Sequence, residues 1–342
     1  MSTVASNRSA RALWFAAARQ AELREDPVPE PVGNQATVRA LASLVSAGTE
    51  MLIYRGEGAQ GDDLGLETCV GSFSFPVKYA YQVVGEVVAA GDEARYGVGE
   101  RVFCRHPHQE LFTMRSDNWL MARVPDGLEP ERAVFVNLLE VALNCMLDVP
   151  VRVGDVAVVY GQGVVGSLAA QLARRTAGRL IVVDPFAVRR ETALAWGADA
   201  AVDPAEAQAA VDELSDGRGA DVAIEASGSP AALQSAIAVT GQEGTIAAVS
   251  FFGTKVVPLT LAPEFHYRRQ HIVSSQVSSL GSGLQPRWSF ERRTATGFSL
   301  LQTSWLVTPI SHRLPFERAP EAYRILDERP EEAMGIVLEY GA

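Results

Sequence analysis

Residues 155–184 read DVAVVYGQGVVGSLAAQLARRTAGRLIVVD. The run 156–160 is apolar and rich in valine, as a strand buried on both faces requires. Gly161, Gly163 and Gly166 follow it in G-x-G-x-x-G spacing. Residues 167–175 suit a helix, and 180–183 form a second apolar run that ends on Asp184. Gly161 permits the tight turn, Gly163 lets a pyrophosphate approach the backbone, and Gly166 lets the helix pack close to the strand. The pyrophosphate then meets the positive N-terminus of the helix. Asp184 stands about 20 residues on, where a carboxylate accepts from ribose hydroxyls and repels a 2′-phosphate. The stretch predicts a dinucleotide site that takes NAD in preference to NADP. Its expected contacts are Gly161, Gln162, Gly163, Val164, Val165, Gly166, Asp184 and the adjoining Pro185. A glycine-rich turn that binds nothing is the plainer alternative.

Working outward, 342 residues suggest two domains, and 47% hydrophobic content lets both bury a core. A net charge of −11 repels phosphate backbones, so nucleic acid is not an expected partner. Cys69, Cys104 and Cys145 lie far apart, which suggests neither a zinc knuckle nor a disulfide framework. The apolar run at 12–18 is short and is followed by Glu22, Glu25 and Asp26, fitting a strand pair better than a signal peptide. No run reaches the roughly 18 apolar residues of a membrane span. A soluble, cytoplasmic protein with a small-molecule substrate is expected.

Residues 1–146 read as β-rich, with short runs at 37–44, 82–89 and 100–104 and an extended connector at 27–31. Residues 131–147 read as one helix. From 147 to 282 strands (156–160, 180–183, 221–226, 244–249, 271–276) alternate with helices such as 188–196 and 231–238. This is α/β patterning for a doubly wound parallel sheet. Residues 283–342 return to mixed structure, with a helix at 320–326 and a closing strand at 335–340.

The layout, with PVPEP at 27–31, SAGTE at 46–50, GEVV at 85–88, VGERV at 98–102 and AIEASGSP at 223–230, resembles the medium-chain dehydrogenase/reductase superfamily. The resemblance implies a GroES-like β-rich catalytic domain, an inserted Rossmann domain and a C-terminal return to the first domain. It adds Arg189 and Ser227 to the expected cofactor contacts, a solvent-exposed helix residue being the plainer reading of Arg189. GTE at 48–50, PVKYAY at 76–81 and HPHQ at 106–109 are similar to the bacteriochlorophyllide hydroxyethyl dehydrogenase group. The resemblance also implies a homodimer, with residues 255–261 as the pairing segment. On these motifs the zinc-ligand positions of the superfamily fall on Ala47, Tyr81 and Asn137. Alanine cannot ligate, and phenol and amide are poor ligands for Zn²⁺, so no zinc is expected. His106, His108 and Glu110 alternate along an extended segment, which would turn all three to one side as another metal site; ordinary loop roles are the plainer reading.

Without zinc, hydrogen-bond donors must stabilise the alkoxide. Thr49 holds the relay-hydroxyl position that the resemblance implies, and otherwise caps the following helix. Tyr81 could donate its phenol to the developing oxyanion, or merely plug the vacated metal hole. Glu50 and Glu140 could act as bases or pair with an arginine. Asn137 could bond substrate or pack in its helix. His106 and His108 could relay a proton. Arg268, Arg269, Arg287, Arg292 and Arg293 could bind an anionic group or form ion pairs. Trp14, Phe73, Phe75 and Tyr79 are candidates to line a cleft or fill a core. Three functions fit: NAD(H)-linked interconversion of a secondary alcohol and a ketone, reduction of an activated carbon–carbon double bond, and nucleotide binding without turnover.

Overall fold

The computed structural model describes residues 8–58 and 65–341. Two compact units emerge, Asn137–Pro309 and the combination of Met1–Val136 with Ile310–Ala342.

The contiguous unit is built on a six-stranded sheet, every pairing parallel. Its order across the sheet is Ala200–Val202, Arg179–Val183, Val156–Tyr160, Ala220–Glu225, Thr240–Ala248, His271–Ser274. The chain runs outward from the Val156–Tyr160 strand in one direction, then returns and runs outward in the other. That reversal makes a topological switch point, where ligands bind in doubly wound sheets. All five residues of Val156–Tyr160 are buried, which explains their continuous apolar reading. Val158 and Ile181 pack with Val211, Leu233 and Ile237 from the covering helices. Each such side chain, fully buried, contributes about 1.5–3 kcal/mol.

The other unit carries a larger sheet in the order Ile310–Pro315, Gly335–Glu339, Gln35–Val45, Val83–Ala90, Arg101–Cys104, Met121–Arg123. Leu111–Arg115 also pairs with Gln35–Val45. A four-stranded sheet holds the expected hairpin, Ser9–Ala17 with Gln20–Pro27. Helices Thr49–Arg55 and Ala319–Glu328 bury Met51, Ile53, Tyr54, Tyr323 and Leu326 in one cluster with Phe15 and Phe316.

Three expectations need correction. Residues 131–147 are not one helix: Pro130–Ala133 and Val136–Asp148 are separate. Ala133, Val134, Phe135 and Val136 are each completely buried, and a continuous helix with one apolar stripe cannot bury four consecutive side chains. Residues 255–261 lie outside any strand, and the edge of the sheet is His271–Ser274; Pro258 cannot donate to a ladder. The nucleotide-domain helix starts at Val164, directly after Gly163, not at 167. Among the described residues no helix is long and apolar enough to cross a membrane.

Candidate active site

The glycine loop leaves the C-terminal end of Val156–Tyr160. Gly161 sits at φ +86, and a Cβ there would lie 2.8 Å from Ser227 Cα. A Cβ on Gly166 would come within 1.8 Å of the Gly161 carbonyl oxygen, while one on Gly163 would meet nothing within 4 Å. The roles expected of Gly161 and Gly166 are thus visible as steric facts, and Gly163 faces open space. Gly163 is also the N-cap of the Val164–Arg174 helix, and no side chain caps that end. The first-turn N–H groups of Val164, Val165 and Gly166 therefore keep the donor character of a helix start.

Asp184 is only 1% exposed. Its Oδ2 accepts from Gln162 N at 2.7 Å and its Oδ1 from Phe186 N at 2.9 Å. A carboxylate has about four lone-pair directions, so two backbone bonds leave capacity for a further donor. Arg189 stands 3.6 Å from Asp184 and lies over the Phe186 ring at 4.8 Å. Burial lowers the Arg189 pKa and Asp184 opposes that shift. Arg190 donates to the carbonyls of Asp184 and Pro185 at 2.7 and 2.8 Å.

Glu225 was not anticipated. It is completely buried, and its Oε1 accepts from Ser227 N, Ser227 Oγ and Gly228 N at 2.7, 2.7 and 2.9 Å. It fixes the turn that presses Ser227 against Gly161. An acid at a strand end before Ser and Gly is the available signal, since such residues cap turns.

In the other unit, Thr49 is the first residue of the Thr49–Arg55 helix; Gly48 is the N-cap, and no side chain caps it. The capping alternative for Thr49 therefore does not apply. Tyr81 donates to Ser46 Oγ at 2.8 Å. Burial pushes the Tyr81 phenol up, the Glu50 charge adds to this, and hydrogen bonds with Ser46 and Thr49 oppose it. At neutral pH Tyr81 is a donor, not a base. Tyr79 packs edge-on at 5.9 Å, and Phe73, Phe75 and Tyr79 lie against the core. Trp14 donates to Asp26 Oδ1 at 3.1 Å.

Glu50 is completely buried. Its partners are not arginines: Oε2 accepts from Tyr323 Oη at 2.8 Å and meets His108 Nε2 at 3.3 Å. His108 Nδ1 reaches Ser43 Oγ at 2.8 Å, which meets Tyr340 Oη at 2.9 Å. Glu50 Oε1 has no hydrogen-bond partner. Sequence reading missed Ser43, Ser46, Tyr323 and Tyr340, because the last two return from the far end of the chain.

The alternation expected for His106, His108 and Glu110 does not bring them together. His106 stacks on Phe112 at 3.8 Å, His108 turns to Glu50, and Glu110 pairs with Arg11. Lys78 bonds Asp26 Oδ2 at 2.6 Å and Gln109 Oε1 at 3.0 Å. Asn137 and Glu140 belong to the contiguous unit; Asn137 is 8% exposed, and Glu140 accepts from the Thr294 hydroxyl. The arginines expected to cluster act separately: Arg268 holds the Ala238 and Thr240 carbonyls, Arg269 pairs with Glu243, Arg292 bonds the Arg287 carbonyl, and Arg293 bonds Asn144. Among the described residues no group of three His, Cys, Asp or Glu side chains is disposed to hold a metal. Ala47, Tyr81 and Asn137 offer no thiolate, imidazole or carboxylate, so they do not fit zinc.

Residues 164–289 match the family model described as zinc-binding dehydrogenase. The D-guloside 3-dehydrogenase of Shigella flexneri is 33% identical over 263 residues, covering 74% of each chain. The sorbitol dehydrogenase of Halalkalibacterium halodurans is 25% identical, over 77% of this chain and 80% of its own. The 2R,3R-butanediol dehydrogenase of Bacillus subtilis superposes with a TM-score of 0.78 at 19% identity, covering 97% of this chain and 99% of the other.

Proposed function

The chain belongs to the medium-chain dehydrogenase/reductase superfamily and is a dehydrogenase acting on CH–OH groups, and from that premise we propose a zinc-independent, NAD(H)-linked interconversion of a sugar-derived secondary alcohol and its ketone. The observation that carries this reading is the half-buried Tyr81–Ser46 pair beside Thr49, at a position to which the family resemblance assigns a zinc ligand. NAD(H), when bound, exchanges the hydride. The glycine loop fits its pyrophosphate, since Gly163 leaves open space beside the helix start. Asp184 keeps lone pairs for ribose hydroxyls, and its charge disfavours a 2′-phosphate. Tyr81 donates to the ketone oxygen as it gains charge, and Thr49 and Ser46 hold the phenol and share its proton. Glu50 stays second in line, raising the phenol and anchored by Tyr323 and His108.

The sugar class is supported by the names of the guloside and sorbitol dehydrogenases. The finer likeness to the bacteriochlorophyllide hydroxyethyl dehydrogenase group rests on the segments that carry Thr49, Tyr81 and His108. A homodimer is also part of the reading, with the exposed edge His271–Ser274 available to a second copy; sedimentation velocity measures it. The test of the activity is a panel of sugar alcohols and glycosides assayed with NAD⁺ and NADP⁺ on chelator-treated protein. Turnover with NAD⁺ that survives chelation and collapses in Tyr81→Phe is expected. Activity that returns only with stoichiometric zinc sinks the zinc-free assignment, and NADPH-linked reduction of enones alone replaces it with double-bond chemistry.

A further inference from the structure

A cavity of about 350 Å³ lies in the β-rich unit, lined by Lys78, His106, Gln109, Phe112, Thr68 and Thr113 among others. Ser46, Thr49 and Tyr81 do not line it, so it is distinct from the hydroxyl group described above. Its size is that of a small-ligand pocket.

Its walls are polar and built, and their cations are paired. Lys78 is tied to Asp26 and Gln109, Arg115 to Asp117, and Glu67 accepts from Asn118. Both lining cations therefore have a carboxylate partner, while the exposed Glu67 carboxylate meets only a neutral amide. His106 is 6% exposed, and its ring is pinned flat on Phe112. Its Nδ1 meets the Pro107 carbonyl at 2.8 Å. A carbonyl only accepts, so Nδ1 carries the proton in the neutral ring and Nε2 carries a lone pair. Among the described residues no group bonds Nε2, which leaves it as the nitrogen His106 can offer the cavity. Burial, with the Lys78 charge, lowers the His106 pKa to about 3, so the ring stays an acceptor at neutral pH. Thr68 Oγ1 donates to the Arg105 carbonyl at 2.8 Å and keeps its lone pairs. Pro27, Pro29 and Met114 add apolar wall.

An acceptor at Nε2 of a buried ring, hydroxyl and carboxylate oxygens beside it, apolar wall and no unpaired lining cation to hold an anion together call for a hydroxyl-rich ligand with O–H donors on one edge and C–H on the other. We propose that this cavity is a binding site for a neutral polyhydroxylated molecule, a sugar ring or an open-chain polyol, gripped through a hydroxyl on His106 Nε2. The site does not depend on the proposed activity.

The test uses the full-length protein with ¹⁵N-labelled histidine, which gives five side chains to follow. D-glucitol and methyl β-D-glucopyranoside are the probes, one open-chain and one cyclic, and calorimetry gives their affinities. The expected result is a saturable upfield movement of one unprotonated Nε2 signal, absent in His106→Phe. Thr68→Val loses one hydrogen bond and should weaken the better probe about fivefold, with NADH binding unaltered as the check on folding. Thr68→Val also carries the test if His106→Phe fails to fold. The proposal is overturned if neither probe moves the signal saturably, if Thr68→Val and His106→Phe both leave the affinity unchanged, or if inorganic phosphate or gluconate occupies the cavity more tightly than both neutral probes.

Discussion

Two methyl groups added three residues apart should do opposite things. Gly166→Ala forces a Cβ to within 1.8 Å of the Gly161 carbonyl, so helix and strand must part. A loss of about 1–3 kcal/mol is expected, read as a lower midpoint in urea. Gly163→Ala adds its Cβ where nothing lies within 4 Å. Its stability should hold, while NADH affinity falls because the methyl takes the space of the pyrophosphate. A destabilised Gly163→Ala, or one that binds NADH normally, contradicts that assignment. Tyr81 gives a second residue-scale prediction. Burial and the Glu50 charge raise its pKa, so the phenolate needed to take a proton from an alcohol becomes more abundant as pH rises. Alcohol oxidation should therefore still be climbing on the alkaline side, and Tyr81→Phe should cut kcat about 10²–10⁴-fold. Glu50→Gln removes a charge that pushes the phenol up, so the alkaline limb should move to lower pH. A limb that stays in place means Glu50 is only packing.

Asp184 is where separate elements are tied together. It ends the Arg179–Val183 strand, yet it bonds Gln162 N in the glycine loop and Phe186 N at the start of the next helix. Asp184→Ala strips both donors of their partner and should cost about 1–3 kcal/mol. It should also weaken NADH more than NADPH, since both a ribose acceptor and a negative charge go; paired fluorescence titrations measure the ratio, and equal loss for the two cofactors contradicts the ribose role. This element scale is also where the sequence was easiest to read and where it fell short. Val156–Tyr160 and its glycines announce themselves because a doubly buried strand must be apolar throughout and the turn tolerates no side chains. Ala200–Val202 and Ala207–Leu214 went unseen, the first because three half-buried residues at a sheet edge carry no periodicity. The break after Ala133 was hidden because burial of Val134 and Phe135 is decided by the surrounding fold, not by local propensity. The acid–phenol group was hidden for a similar reason. Glu50 and Tyr323 are 273 positions apart, and no local pattern reports that separation.

The whole molecule is an insertion: Asn137–Pro309 interrupts a unit made of both chain ends. The consequences differ for the two parts. Gly335–Glu339 lies between Ile310–Pro315 and Gln35–Val45, so the larger sheet of the β-rich unit cannot be completed by residues 1–136. Ile336 and Leu338 are also completely buried there. By contrast, the parallel sheet draws all six strands from within the insertion, and its core cluster lies wholly between Val156 and Phe265. A segment of that length buries roughly 70% of its unfolded surface, enough for independent stability. The glycine loop, Asp184, Arg189, Glu225 and Ser227 travel with it. Residues 137–309 expressed alone should therefore unfold in a single cooperative thermal transition and bind NADH, with added NADH raising Tm as any ligand of the folded state does. Residues 1–136 alone should show no such transition, because the strands that close their sheet come from the other end of the chain. An insertion fragment that melts without cooperativity, or whose Tm ignores NADH, would show that its core or its loop depends on the unit it interrupts.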